Sequence, residues 1–111
     1  MNLLFIAVDD LFDFQKFRTS FGVTIQTPNL DALIARSASF DAAFAHIPVC
    51  GPSRAATMTG LSAWRTGVHQ NSDRWDARVD PGEAWPAVLK DAGFFSATAG
   101  KVFHGYDLQP D

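Results

Sequence analysis

The stretch NLLFIAVDD, Asn2 to Asp10, predicts the class of fold. Asn2 to Val8 is an apolar run without a charged residue, the pattern of a strand buried on both faces of a parallel sheet. A short buried helix has a similar pattern. Asp9 and Asp10 interrupt the run and would lie at the carboxyl end of the strand.

The elements that follow alternate between helix and strand. TPNLDALIARSASF predicts a helix in which Thr27 is the N-cap and Pro28 the first residue. Further helices are predicted from near Ser53 to Gly60 and over PAVLKDAG, which Pro86 opens and Gly93 closes. Strands are predicted at 39–45 and 94–100, and loops at 11–26 and 66–82. The order predicts an α/β fold, a mostly parallel sheet flanked by helices, with ligands beyond the carboxyl ends of its strands.

Composition limits the function. The chain of 111 residues has the length of one small domain, and 47% hydrophobic residues supply a core. A net charge of −3 without a basic cluster argues against nucleic-acid binding. The apolar run is too short for a membrane span, and it lacks the features of a signal peptide. We therefore expect a cytoplasmic protein by default, or a periplasmic or secreted one if a signal has been removed.

Asp9 and Asp10 are the first candidates for a binding site. If the backbone turns at the end of the strand, both carboxylates reach one cation, and two hard oxygen donors suit Ca²⁺ or Mg²⁺. The alternative is a pair of solvent-exposed capping residues.

Cys50 is the only cysteine, which excludes an internal disulfide. A lone cysteine is commonly a buried apolar residue. Here Pro52 and Ser53 indicate the start of a helix, where free N–H groups and the helix dipole favour an anion. Arg54 adds donors for an anionic oxygen. Cys50 and Arg54 therefore predict attack on, or binding of, an oxyanion such as sulfate or phosphate.

Lys101 and His104 lie in GKVFHG, where Gly100 and Gly105 allow the backbone to turn. Lysine offers a positive charge to an oxyanion, and histidine moves protons near neutral pH. The alternative is an exposed lysine beside a loop histidine. His69 lies in a polar loop with Asn71 and is a weaker candidate for substrate binding.

The segment CGPSRAATMTG resembles the C-x-P-S-R-x-x-x-[LM]-T-G signature of the formylglycine-dependent sulfatases, which belong to the alkaline-phosphatase-like superfamily. NLLFIAVDDL resembles their opening strand and acid pair. TPNLDALIARSASFDAAFA resembles the segment before the cysteine, and WPAVLKDAGFFSATAGKVFHG the helix, strand and loop that follow. The spacing of Lys101 and His104 is closer to the iduronate-2-sulfatase branch than to the Lys-x-His form.

The resemblance implies that a maturase reads C-x-P-x-R and oxidises Cys50 to Cα-formylglycine. One hydroxyl of the hydrated aldehyde would attack sulfur and expel the alcohol. Loss of a proton from the other hydroxyl would release sulfate and restore the aldehyde. Arg54 would steady the diol, Lys101 would bind sulfate and diol oxygens, and His104 would orient or deprotonate the diol.

The resemblance also implies a metal site. Asp9, Asp10 and the modified Cys50 would bind a Ca²⁺-like cation, with Mg²⁺ as an alternative. Two acids and Cys50 leave such a cation short of ligands, because Ca²⁺ takes about six to eight oxygens.

Residues 1–111 are therefore expected to be the N-terminal segment of a sulfatase catalytic domain, lacking its C-terminal remainder and inactive alone. Its substrate would be a sulfated small molecule or carbohydrate. One alternative is a phosphonate or phosphate ester hydrolase of the same superfamily. Another is a non-catalytic, truncated α/β domain that self-associates through an exposed sheet edge.

Overall fold

A computed structural model of the chain describes residues 1–104. The chain divides into two compact units, residues 1–41 and 42–111. The turn predicted at Gly105 and the residues after it lie outside the described residues.

The first unit contains one helix, α1, Pro28–Ile34. Pro28 opens the helix as predicted, but the helix ends earlier than the sequence suggests. Thr27 is the N-cap residue, although its hydroxyl donates to Oδ1 of Asp31 (3.0 Å) and does not cap a backbone amide. Arg18 forms an ion pair with Asp31 and also donates to the Thr27 hydroxyl. Hydrogen bonding from this guanidinium lowers the pKa of the Asp31 carboxyl, so the pair stays charged at neutral pH.

The apolar run from Asn2 to Val8 forms no strand in this unit. The run precedes a turn at Asp9 and Asp10, and its side chains are exposed, with Leu4 at 81% and Ile6 at 73%. A parallel strand exists only when its N–H and C=O groups pair with neighbouring strands and other elements cover its faces. The unit offers neither. The prediction of a buried strand here is therefore wrong.

The other predicted strands are also absent. Residues 39–45 and 94–100 contain only bends, turns and irregular backbone, and all of these residues are exposed. No strand occurs anywhere within residues 1–104, which contradicts the predicted α/β fold with a mostly parallel sheet. Within these residues there is accordingly no sheet edge of the kind expected to mediate self-association. Apolar runs predicted the strands, but apolarity alone does not supply the hydrogen-bonding partners that a sheet requires.

The second unit is built from short helices. They are α2 (Cys50–Thr59), α3 (Ala63–Thr66) and α4 (Trp85–Asp91), with 3₁₀ turns at Trp75–Ala77 and Pro81–Glu83. Helix α2 ends at Gly60, as predicted, because its φ of 68° is left-handed and glycine adopts it without strain. The helix begins at Cys50, earlier than the predicted start near Ser53. Pro52 falls within the first turn, where the missing N–H of proline costs no helical hydrogen bond.

The core of the second unit lies beside α2. Ala55 packs with Val68 and Trp75, all three buried, and Phe103 packs against this cluster. The rings of Trp75 and Phe103 are stacked, with centroids 3.9 Å apart and an angle of 7° between planes. The longest helix in the described part, α2, has ten residues. None of the described helices combines the length and the hydrophobicity needed to cross a bilayer.

Candidate active site

Cys50 is the first residue of α2 and is half-buried, with a free thiol. The preceding Val49 is extended and has no side chain that caps the helix. The N–H of Ser53 is used within the turn, since it donates to the Val49 carbonyl (3.0 Å). The N–H of Gly51 donates to Oδ1 of Asn71 at 2.8 Å. As predicted, the thiol lies at the positive end of a helix.

Arg54 links α2 to the loop that carries the other basic candidates. Its Nη1 donates to the carbonyl oxygens of Lys101 and Val102, the second at 3.2 Å. The planar guanidinium of arginine has several N–H donors, so one side chain can bond two backbone carbonyls. Arg54 therefore fixes the backbone of the loop next to the helix.

Phe103 fixes the same loop from the other side. Its ring stacks on Trp75, which is only 6% exposed and belongs to the core cluster. Phe103 lies between the two candidate site residues Lys101 and His104. The loop is thus held at its backbone by Arg54 and at a side chain by the core.

His104 lies beside the start of α2. A Cβ added to Gly51 would lie 3.4 Å from the Cβ of His104, so the histidine backs directly onto the residue after Cys50. Nδ1 of His104 is buried and has no hydrogen-bond partner within residues 1–104. A buried nitrogen without a partner is costly unless another group supplies one.

Lys101 shares this loop and its side chain is exposed. The structure therefore brings Cys50 and Arg54 together with Lys101 and His104 at one end of α2, although Arg54 and Lys101 are 47 positions apart in the sequence.

His69 is placed differently. Its ring is edge-on to Trp64, with centroids 6.1 Å apart, and the backbone N–H of His69 donates to Oδ2 of Asp73 at 2.8 Å. Gln70 donates to the same oxygen, and Arg78 donates to Oδ1. These bonds, led by the one from the backbone of His69, lower the pKa of Asp73. The contacts of His69 are thus those of a loop residue, and its role in substrate binding stays a prediction.

Asp9 and Asp10 belong to the other unit. Asp10 adopts a left-handed φ of 56°, a conformation that aspartate tolerates, so the backbone does turn at the acid pair. Within residues 1–104, no group of three or more His, Cys, Asp or Glu side chains is arranged to hold a metal ion. The two carboxylates are suitable donors for Ca²⁺, but they are too few for a complete site.

Three residues of the site have roles that the sequence analysis missed. Trp75 and Phe103 anchor the loop, and Asn71 binds the Gly51 amide. The stacked residues Trp75 and Phe103 are 28 positions apart, so no local sequence pattern predicts their contact. A signal for Asn71 exists in the sequence: a helix that starts after valine, without a capping side chain, needs an acceptor from elsewhere.

The chain belongs to the sulfatase family. The family model described as Sulfatase matches residues 1–109. A protein named Sulfatase from Formosa agariphila is 41% identical over 95% of this chain and 22% of its own length. Iduronate 2-sulfatase from Homo sapiens is 33% identical over 94% of the chain and 18% of its length. Choline-sulfatase from Rhizobium meliloti is 31% identical, with coverage of 96% and 21%.

The chain thus spans about a fifth of the length of these relatives. No solved structure matches the chain. Membership confirms the resemblance carried by the cysteine motif. The family acts on sulfated substrates, carbohydrates among them, and in general implies a formylglycine and a metal cofactor.

Proposed function

We propose that this chain is the nucleophile-bearing part of a longer sulfatase that hydrolyses sulfate esters through a formylglycine derived from Cys50. The observation that carries the proposal is the arrangement at the start of α2. A half-buried thiol at the helix N-terminus, a loop tethered by Arg54, and a buried His104 Nδ1 that lacks a partner within the described residues meet there. The partner this requires is a formylglycine-generating enzyme.

The modified residue supplies a hydroxyl nucleophile, as its hydrate, and a second hydroxyl whose deprotonation releases sulfate. The residues of this chain bind the anionic ester and hold or accept a proton. The helix N-terminus favours the anionic ester, because its N–H groups and dipole carry partial positive charge. The exposed ammonium of Lys101 adds a full positive charge for the sulfate oxygens. His104 is placed to hold or accept a proton at Nδ1, the atom without a partner within residues 1–104.

Arg54 acts in this proposal through the loop. Its guanidinium is bonded to the Lys101 and Val102 carbonyls, so it keeps Lys101 and His104 next to the nucleophile. Such positioning is a large part of catalysis when two groups must meet a substrate at once. Asp9 and Asp10 would give two carboxylate donors to a hard cation, with further ligands supplied by the rest of the protein.

The proposed substrate class is a sulfate ester of a carbohydrate or of a small alcohol. Two of the relatives are named for substrates of these kinds: iduronate 2-sulfatase for a carbohydrate and choline-sulfatase for a small alcohol. The spacing of Lys101 and His104 favours the first kind, since it matches the iduronate-2-sulfatase branch.

Steady-state rates on an aryl sulfate and an aryl phosphodiester test the proposed function. The full-length protein, produced with a formylglycine-generating enzyme, is expected to have a kcat/KM at least about tenfold higher on the sulfate. Both esters present one negative charge on a tetrahedral group, so we expect Lys101 and the helix N-terminus to bind them about equally and the preference for sulfate to appear in the chemical step. Faster turnover of the phosphodiester would instead identify a phosphate or phosphonate ester hydrolase.

A further inference from the structure

Helix α2 starts with too few acceptors for its own N–H groups. The first four N–H groups of a helix lack partners within it, and a side chain before the helix normally caps some of them. Val49 cannot do this, and Pro52 has no N–H. The N–H of Ser53 is used by the Val49 carbonyl. The Gly51 amide is capped from a distance, by Oδ1 of Asn71 twenty residues later.

The contact between Gly51 and Asn71 is close as well as polar. Gly51 is buried, and a Cβ built on it would be 3.0 Å from Oδ1 of Asn71 and 3.4 Å from its Cα. The same Cβ would be 3.4 Å from the Cβ of His104. Glycine is thus the residue that lets Asn71 and His104 approach the first turn of α2 together.

Asn71 is itself held in place. Asp73 closes its turn by accepting the N–H groups of His69 and Gln70 and the guanidinium of Arg78. Shortly after the turn, Trp75 enters the core and stacks on Phe103. The asparagine is therefore fixed by the same core residue that fixes the loop of His104.

We propose that Asn71 is a positioning residue for the nucleophile at position 50. By capping the Gly51 amide it fixes the first turn of α2, and so the direction of residue 50 relative to His104. This inference rests on the proposed sulfatase function for its effect on turnover, but the hydrogen bond itself is testable without turnover.

The test compares Asn71→Ala, Asn71→Asp and a matched control, Gln70→Ala, in the full-length protein. The side chain of Gln70 is exposed, and its backbone bond to Asp73 survives truncation. We expect Asn71→Ala to lower kcat on an aryl sulfate about tenfold, the value of one lost hydrogen bond, with KM within about twofold. Rates are divided by the fraction of formylglycine at position 50, measured by mass spectrometry.

Hydrogen exchange of the Gly51 amide supplies the second measurement. Its protection is expected to fall about tenfold in Asn71→Ala and to persist in Asn71→Asp, because a carboxylate still accepts the bond. Gly51→Ala is expected to cost less kcat in the Asn71→Ala background than in the wild type, because the nearest atom to the added Cβ is then gone.

The two measurements separate the possible failures. Unchanged protection in Asn71→Ala overturns the inference, whether kcat falls or not, and so does a kcat within twofold of wild type. If Asn71→Ala loses no more kcat than Gln70→Ala, the inference is also overturned. If wild-type protein turns over no sulfate ester, the proposed function fails. The inference is then decided by exchange, and an equally protected Gly51 in wild type and Asn71→Ala overturns it.

Discussion

Cys50→Ala is expected to reduce sulfate ester turnover by the full-length protein at least about 10³-fold, the scale seen when a nucleophile is removed. Alanine has no thiol for a maturase to oxidise, so neither hydroxyl of the hydrated aldehyde can form. Residual rate would come from binding by the helix N-terminus and the loop of Lys101 and His104. The measurement is kcat/KM on an aryl sulfate.

Thr57→Ala is the matched control for Cys50→Ala. Thr57 lies on the same helix, is exposed, and its hydroxyl donates to the Ser53 carbonyl. We expect turnover within about twofold of wild type, because a surface hydroxyl bonded within its own helix adds little. A Cys50→Ala protein that keeps more than a tenth of wild-type turnover would place the nucleophile elsewhere.

Trp75→Ala is expected to lower the free energy of unfolding by about 3–5 kcal/mol, the cost of truncating a buried aromatic residue. Trp75 is 6% exposed, and its loss removes the stack on Phe103 and the packing against Ala55 and Val68. Since natural proteins are stable by only about 5–15 kcal/mol, a loss of this size threatens the fold itself. Chemical denaturation of the full-length protein measures it.

Trp64→Ala is the control, because Trp64 is 87% exposed. Its ring contact with His69 is edge-on, so we expect a loss below about 1 kcal/mol. Equal losses in the two variants would contradict the assignment of Trp75 to the core. Trp75→Phe keeps a ring to stack on Phe103 and is expected to lose less stability than Trp75→Ala.

Helices were the part of the fold that local sequence predicted well. Pro28 opens α1, Gly60 ends α2, and Gly93, with a left-handed φ of 89°, follows α4. These signals work because proline and glycine act on the backbone of their own turn. The start of α2 was misplaced because Pro52 is compatible with more than one position in the first turn.

Strands could not be predicted in the same way. The run from Asn2 to Val8 is apolar enough for a sheet, but a strand forms only with partner strands, and the described residues contain none. Burial on both faces is a property of the surroundings and not of the run. The apolar pattern therefore identified residues that favour burial, but it did not show which elements would pack against them.

The candidate site was predicted in its residue types and only partly in its geometry. The motif around Cys50 and the spacing of Lys101 and His104 were enough to predict these residues as members of the site. The bonds from Arg54 to the loop carbonyls and from Gly51 to Asn71 join residues that are distant along the chain. The packing of Trp75 on Phe103 helps to bring those segments together, and no local pattern encodes that packing.

The most direct test is the mass of the tryptic peptide that contains Cys50. Cleavage after Arg36 and Arg54 releases SASFDAAFAHIPVCGPSR, residues 37–54. In protein made with an active formylglycine-generating enzyme, we expect the mass of a peptide with CHO in place of CH₂SH at position 50. Protein made without that enzyme should give the unmodified peptide. A peptide that keeps its thiol in the presence of the active enzyme would contradict the role of Cys50 as the precursor of the nucleophile.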